Sequence, residues 1–277
     1  MDKQSIRDLF DLTGQVAVVT GGAGVLCAQL CRTLAEAGAK VSIMDINLPA
    51  ANQLANEICQ ASGDGMAFEC DACSQSSLQV AAQQVIQHYG KVDILINGTG
   101  GNSPQATTSA DLSFFDLPEQ ALNWVIDLNL ISAIYTCQVF GKYMADQKKG
   151  VILNISSMNA FRPLTRIPAY SAAKAAVSNF TQWLAVHMAQ EYSTGIRVNG
   201  IAPGFFLTAQ NRYLLIDEAS GALTSRGQAI VDHTPMQRFG TPDDLTGAVL
   251  WLLSPASEFV TGIIVPIDGG FSAYSGV

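Results

Sequence analysis

Seven short apolar runs, separated by stretches of helical periodicity, constrain this chain more than any other feature. They lie at 16–20 (VAVVT), 40–45 (KVSIMD), 66–70 (MAFEC), 92–97 (VDILIN), 151–157 (VILNISS), 196–201 (IRVNGI) and 263–268 (IIVPID). Most are apolar at nearly every position, which is the pattern of a strand covered on both faces. Helical patterns fill the intervals: one that Gly38 ends, then 49–62, 74–89, 118–145 and 168–192. Strand and helix in alternation predict an α/β fold, a doubly wound and mostly seven-stranded parallel sheet. No repeat, low-complexity tract or linker-like run interrupts it, so residues 1–277 are expected to form a single domain.

Two stretches break the rhythm. Residues 98–117 are polar and rich in Ser and Thr, and residues 205–240 separate the sixth strand from the seventh. Insertions at the C-terminal ends of strands line the ligand crevice of such sheets. Both are expected to wall a pocket, the second as a substrate lid.

Composition narrows the partners. Hydrophobic residues make up 48% and charged residues 14%, ample for a large core. A net charge of −8 argues against nucleic acid, whose phosphates demand clustered Lys and Arg. It leaves room for an anionic small molecule. The first residues lack an apolar signal-peptide core, and no apolar stretch reaches bilayer length, so a cytoplasmic protein without membrane contact is expected. Six cysteines form no disulfide framework. Cys70 and Cys73 match CxxC but stand without a second pair, so no metal site is expected.

The segment Thr20-Gly21-Gly22-Ala23-Gly24 follows the first strand and opens a helix. Glycines there admit a pyrophosphate, and the helix N-terminus supplies free N–H groups and partial positive charge. Cys27 stands where a third glycine would permit close helix–strand contact. Asp45 ends the second strand, where a carboxylate accepts hydrogen bonds from ribose hydroxyls and repels a 2′-phosphate. Neither Ile46 nor Asn47 is basic, so NAD is favoured over NADP. Asp71, with Ala72, and Asn97-Gly98 follow the next two strands, where adenine and its ribose would run.

Tyr170 and Lys174 are four residues apart in a helical segment and share one face. Ser157 lies thirteen residues earlier, at a strand end. A phenol, an ammonium and a hydroxyl together can move a proton onto or off a carbinol oxygen, which points to redox chemistry at an alcohol or ketone. An ammonium nearby is expected to bring the phenol toward working pH. Arg162 and Arg166 fall between Ser157 and Tyr170, and a guanidinium pairs bidentately with a carboxylate. Arg162 is the preferred carboxylate partner. Asn102, Ser103, Asn159, Asn211 and His233 are candidates for sugar hydroxyls.

In these motifs the chain resembles the short-chain dehydrogenase/reductase family over nearly its whole length. The resemblance implies a Rossmann-type sheet and a catalytic set of Asn129 (in DLNLIS), Ser157, Tyr170 and Lys174. Asn129 would hold a water that relays protons to Lys174, and Lys174 would also bind the nicotinamide ribose. The implied cofactor-binding set is Gly21, Gly24, Val25, Leu26, Asp45, Asp71, Ala72, Asn97, Gly98, Tyr170, Lys174, Pro203, Gly204 and Thr208. Thr208 would contact the carboxamide. Val25 and Cys27 depart from the usual glycines. Segments such as GGNSPQATTS, APGFFLT and DGGFSAYSGV are similar to a narrower branch, the D-mannonate oxidoreductases or fructuronate reductases. That implies reduction of a keto sugar acid, D-fructuronate to D-mannonate. A gluconate or polyol dehydrogenase is the alternative. A non-catalytic NAD(H)-binding regulator would carry a broken Ser/Tyr/Lys set, and here the set is complete. The family also implies a homotetramer, with the aromatic C-terminal tail expected across a subunit interface.

Overall fold

The computed structural model of the chain describes residues 5–208, 212–218 and 220–276. Seven strands, all parallel, form one sheet: β1 (Val16–Thr20), β2 (Lys40–Asp45), β3 (Asp64–Glu69), β4 (Ile94–Asn97), β5 (Gly150–Ile155), β6 (Ile196–Pro203) and β7 (Ile264–Ile267). Their order is β3-β2-β1-β4-β5-β6-β7. This is the expected Rossmann-type sheet. Its order reverses between β1 and β4, so the loops leaving those two strands diverge and open a crevice between them.

Alternating side chains explain why both faces are apolar. In β1, Ala17 and Val19 enter one core with α1 (Val25–Glu36) and α2 (Leu48–Gln60). Val16 and Val18 enter the other, beneath α3 (Gln75–Tyr89). The two-residue strand period therefore feeds two cores at once. Local chemistry sets the helix ends. The Asn47 side chain accepts from Ala50 N at the start of α2, Ser74 accepts from Ser77 N at the start of α3, and Gly90 closes α3 at φ +79°.

The long helix expected over 118–145 is three pieces in one rod: α4 (Glu119–Ile126), a π turn over Asp127–Ile131, and α5 (Ser132–Gln147). The rod is long and apolar enough to cross a bilayer. That differs from the sequence expectation. Its buried residues, including Phe140 and Met144, pack into the core under β4 and β5, which accounts for the apolarity. After β5 come α6 (Pro168–His187), a second π turn over Met188–Tyr192, then β6.

Residues 205–240 leave the sheet and return to it at one neck. Gly240 N donates to Phe205 O at 2.9 Å and Leu207 N to Gly240 O at 3.0 Å. Within this excursion lie α7 (Arg212–Leu215) and α8 (Ser225–His233). Then α9 (Thr246–Leu253) leads to β7. Arg197, on β6, is buried and donates to the carbonyls of Leu252, Val260 and Ser254, tying the end of α9 to the sheet.

Candidate active site

The β1 and β4 loops meet at the crevice. Gly21 has φ +61°, and a Cβ there would lie 3.1 Å from the backbone of Gly98 and Thr99. Gly24 is the extended N-cap of α1, so the first turn of that twelve-residue helix faces the crevice. Asp45 Oδ2 accepts from Ala23 N at 3.0 Å and Oδ1 from Asn47 N at 2.9 Å, so the carboxylate is held against the glycine loop. A cavity of about 570 Å³ runs from Asp45 and Asn47 past Gly21, Gly24, Val25 and Leu26. It continues to Gly98, Ser157, Tyr170 and Lys174, and ends at Pro203, Gly204, Phe205 and Thr208.

This narrow glycine-lined passage, with a carboxylate at one end and a phenol at the other, fits a dinucleotide. Three residues expected to bind cofactor stand off it. Asp71 borders a larger, more open groove beside β3, and its Oδ1 accepts from Cys73 N. Ala72 is buried. Asn97 lies inside the sheet, where Nδ2 donates to Asn154 Oδ1 at 2.7 Å and to Cys137 Sγ at 3.1 Å.

Asn129 sits on the π turn, 1% exposed. Nδ2 donates to Val125 O at 2.8 Å and Gly101 O at 2.7 Å, and Oδ1 accepts from Gly101 N. A Cβ on Gly100 would lie 2.8 Å from Asn129 Oδ1 and 3.1 Å from Lys174 Nζ. The two side chains therefore flank one small space. Lys174 Nζ donates to Ile155 O at 2.8 Å and stands 5.7 Å from the centre of the Tyr170 ring. Ser156, next to Ser157, ties β5 to α6 by donating to Lys174 O at 3.0 Å.

Burial dominates the electrostatics. It pushes the Lys174 ammonium down to about 8. It raises the Tyr170 phenol above its ordinary value, with the Ser157 side chain acting in the opposite direction. The net direction is upward, opposite to the lowering expected from Lys174, because burial dominates. The Lys174 ammonium is itself desolvated and turned to the Ile155 carbonyl. The glycine-loop thiol of Cys27 is pushed up to about 12 by burial, so it serves as an apolar filler.

Among the described residues, none of those expected to bind substrate lines the cavity itself. Arg162 is exposed, and its Nε donates to Ser272 O at 3.1 Å. His233, at the end of α8, packs on Phe271 at 4.7 Å and Tyr274 at 5.1 Å between ring centres. Phe271 in turn meets Phe205, a cavity residue, at 5.1 Å. Arg162, the tail and His233 thus form one connected wall next to the cavity. The tail, expected at a subunit interface, lies against its own chain, pinned by Gly270 N and Ser272 N donating to the Asp268 carboxylate. Asn102 is exposed and donates to Thr107 Oγ1, while Ser103 caps a short turn. Asn159 stands behind Ser157 and not on the cavity wall, because its side chain is buried in bonds to its own loop and to α6. Asn211 lies outside the described residues. Sequence reasoning missed Phe205 and Phe271 as wall residues; their aromatic character close to PG and DGG turns was the available signal.

The fold, the glycine crevice and the Ser/Tyr/Lys set define a class, nicotinamide-dependent alcohol and ketone oxidoreductases. A family model described as Enoyl-(Acyl carrier protein) reductase matches residues 13–272. The chain is 47% identical to an uncharacterized oxidoreductase, UxuB, of Bacillus subtilis, covering 96% of this chain and 98% of that one. It is 35% identical to 7alpha-hydroxysteroid dehydrogenase of Escherichia coli, covering 95% and 96%. A Haemophilus influenzae crystal structure with bound NAD, described as a candidate D-mannonate oxidoreductase, superposes with a TM-score of 0.91 at 44% identity, covering 99% of this chain and 100% of that one. The chain belongs to the short-chain dehydrogenase/reductase family and is an NAD-dependent oxidoreductase.

Proposed function

We propose that the enzyme reduces a keto sugar acid, D-fructuronate to D-mannonate, as a cytoplasmic homotetramer. The observation that carries this reading is the arrangement around Arg162. Its Nε is held by Ser272 O, and among the described residues its two terminal nitrogens have no partner. They are the donors that a substrate carboxylate takes. The aromatic wall of Phe205, Phe271 and His233 gives the carbon skeleton a surface between Arg162 and the cavity. The resemblance to a candidate D-mannonate oxidoreductase supports the same substrate class.

In this reading Tyr170 gives its phenolic proton to the carbonyl oxygen. Ser157 donates a hydrogen bond to that oxygen as charge develops on it. Lys174 keeps a buried positive charge beside the phenol and contacts the nicotinamide ribose. Asn129 and Lys174 flank the space where a relay water would sit. NAD, when bound, supplies or takes the hydride. Residues 205–240 close over the substrate as a lid. Gly21, Gly24, Val25, Leu26, Asp45, Gly98, Pro203, Gly204 and Thr208 hold the cofactor. The exposed face of α6, where Phe180, Trp183 and His187 stack and Val186 is 57% exposed, supports a subunit contact.

The test is NADH oxidation with D-fructuronate, D-tagaturonate, 5-keto-D-gluconate, fructose and a 7-oxosteroid. D-fructuronate is expected to give the highest kcat/KM. Activity on fructose alone would overturn the acid reading, and preference for the steroid would favour the chemistry of the Escherichia coli relative. Arg162→Ala is expected to raise KM for the acid roughly 10- to 100-fold while leaving that for fructose, a neutral ketose, nearly unaffected.

A further inference from the structure

Ser157 Oγ accepts two hydrogen bonds from one neighbour. Asn159 N and Asn159 Nδ2 both donate to it, each at 3.2 Å. The orientation of the Asn159 amide follows from its other partner. Leu164 N, which can only donate, meets Asn159 Oδ1 at 3.0 Å. Ser171 Oγ, on α6, donates to the same oxygen at 3.2 Å. The amide nitrogen must therefore face Ser157. Ser157, Asn159 and Ser171 are all buried, at 6%, 6% and 7% exposure, so water does not compete for these bonds.

A hydroxyl has two acceptor positions and one proton. Two N–H groups occupy the acceptor positions of Ser157, and only its O–H remains to be placed. We infer that Asn159 is a positioning residue that makes Ser157 an obligate hydrogen-bond donor toward the reacting oxygen and the Tyr170 phenolate. The short helical turn over Met158–Ala160 is the structural means, since Ser157 is its N-cap and Asn159 lies within it. Without this device Ser157 could accept from the phenol and hold it protonated. With it, the hydroxyl stabilises negative charge on Tyr170, in keeping with the direction in which Ser157 shifts that phenol. The other titratable groups around the site are Lys174, on the same helix as Tyr170, and Cys27, which faces Lys174 from α1. No carboxylate is among the groups that shift the phenol. The inference rests on the roles of Ser157 and Tyr170 and is independent of which ketone is reduced.

The test reads the Tyr170 ionisation directly, as tyrosinate ultraviolet absorption against pH with the Tyr170→Phe titration subtracted, so no substrate is needed. Asn159→Leu is expected to move the midpoint up by about one unit. Ser157→Ala should move it up as well, and the double variant should titrate like Ser157→Ala alone, because Asn159 acts only through Ser157. In turnover, Asn159→Leu should lower kcat about tenfold with little change in KM for NAD. An unmoved midpoint in folded Asn159→Leu protein, or additive shifts in the double variant, would overturn the inference. A merely structural Asn159 would lower the melting temperature and leave the midpoint in place. If Asn159→Leu does not fold, Asn159→Asp retains both bonds to Oδ1. The shift that Asn159→Asp causes in the wild-type background is then compared with the shift it causes in the Ser157→Ala background, so that the new carboxylate's own charge cancels. A further shift that depends on Ser157 supports the inference, and an equal shift with or without Ser157 overturns it.

Discussion

The sulfur of Cys27 occupies the space that a side chain at position 98 would need. A Cβ built on Gly98 would run into Cys27 Sγ and come within 2.6 Å of Thr20 O. The position where a third glycine would allow helix α1 to approach the sheet carries a thiol instead, and a glycine, Gly98, faces it from just after β4. Close approach of α1 and the β4 loop is kept by this exchange of volumes.

Gly98→Ala is therefore expected to destabilise the protein by about 1–3 kcal/mol and to weaken NAD binding, because the β4 loop must shift away from α1. Adding Cys27→Gly should recover part of the loss. The remainder persists, since the Thr20 carbonyl stays in place. Chemical melts and fluorescence titration with NADH measure both effects. Full additivity of the two substitutions would show that the contact is not the cause.

Asp45 faces the cavity and braces the glycine loop at the same time. Its carboxylate accepts from Ala23 N and Asn47 N, and it stands at the entrance of the cavity. Asp45→Asn puts a donor beside one of those N–H groups and removes the charge that repels a 2′-phosphate. KM for NAD is expected to rise about tenfold or more, while the discrimination against NADP shrinks. Steady-state kinetics with both cofactors provide the measurement.

Lys174 makes the cofactor-free enzyme less stable than it could be at neutral pH. Its pKa falls from 10.5 in the unfolded chain to about 8 in the fold, so the unfolded state binds the proton more tightly. The cost is fully present below about pH 8 and is relieved as pH rises toward 10.5. Lys174→Met should abolish turnover. The melting temperature of the variant relative to wild type should be most favourable at pH 7 and should decline as pH rises through that window. A pH-independent difference would mean that the ammonium is not desolvated in solution.

Most of this geometry was legible because it follows from short-range rules. The seven apolar runs specified a sheet covered on both faces, and the spacing of Tyr170 and Lys174 specified one helix face. What escaped depended on contacts between distant segments. The π turn that carries Asn129 leaves no periodicity signal, since Asp127–Ile131 differs from an α-helix by one register step inside an otherwise regular rod. Asn159 read as a candidate for a sugar hydroxyl because its partners Leu164 and Ser171 become neighbours only when the loop folds onto α6. The turn of Lys174 toward Ile155 depends on β5 passing beneath the helix, which one segment of sequence does not reveal.

Arg197 illustrates a charged residue whose role is architectural. It is 8% exposed, and its guanidinium donates to three carbonyls: Leu252, Val260 and Ser254. Arg197→Met would leave those acceptors buried and unpaired, a loss of about 3 kcal/mol. Turnover below the melting range should be little changed, because the residue lies on β6 away from the cavity lining. A urea midpoint shift without a change in KM is the expected result.

Phe271 links the C-terminal tail to the cavity, since its ring touches Phe205 on one side and His233 on the other. Ser272, the next residue, holds Arg162 through its carbonyl. Phe271→Ala removes two edge-to-face contacts worth about 0.5–1.5 kcal/mol each and frees the segment that orients the guanidinium. KM for a carboxylate-bearing substrate should rise about three- to tenfold or more, with KM for NAD unchanged because the tail does not line the cavity. A chain ending at Gly270 lacks the Ser272 carbonyl altogether and should behave like Arg162→Ala toward acids. If both variants raise KM for acidic and neutral substrates alike, the tail shapes the cavity without aiming Arg162. If neither changes KM, the wall is not part of the substrate site.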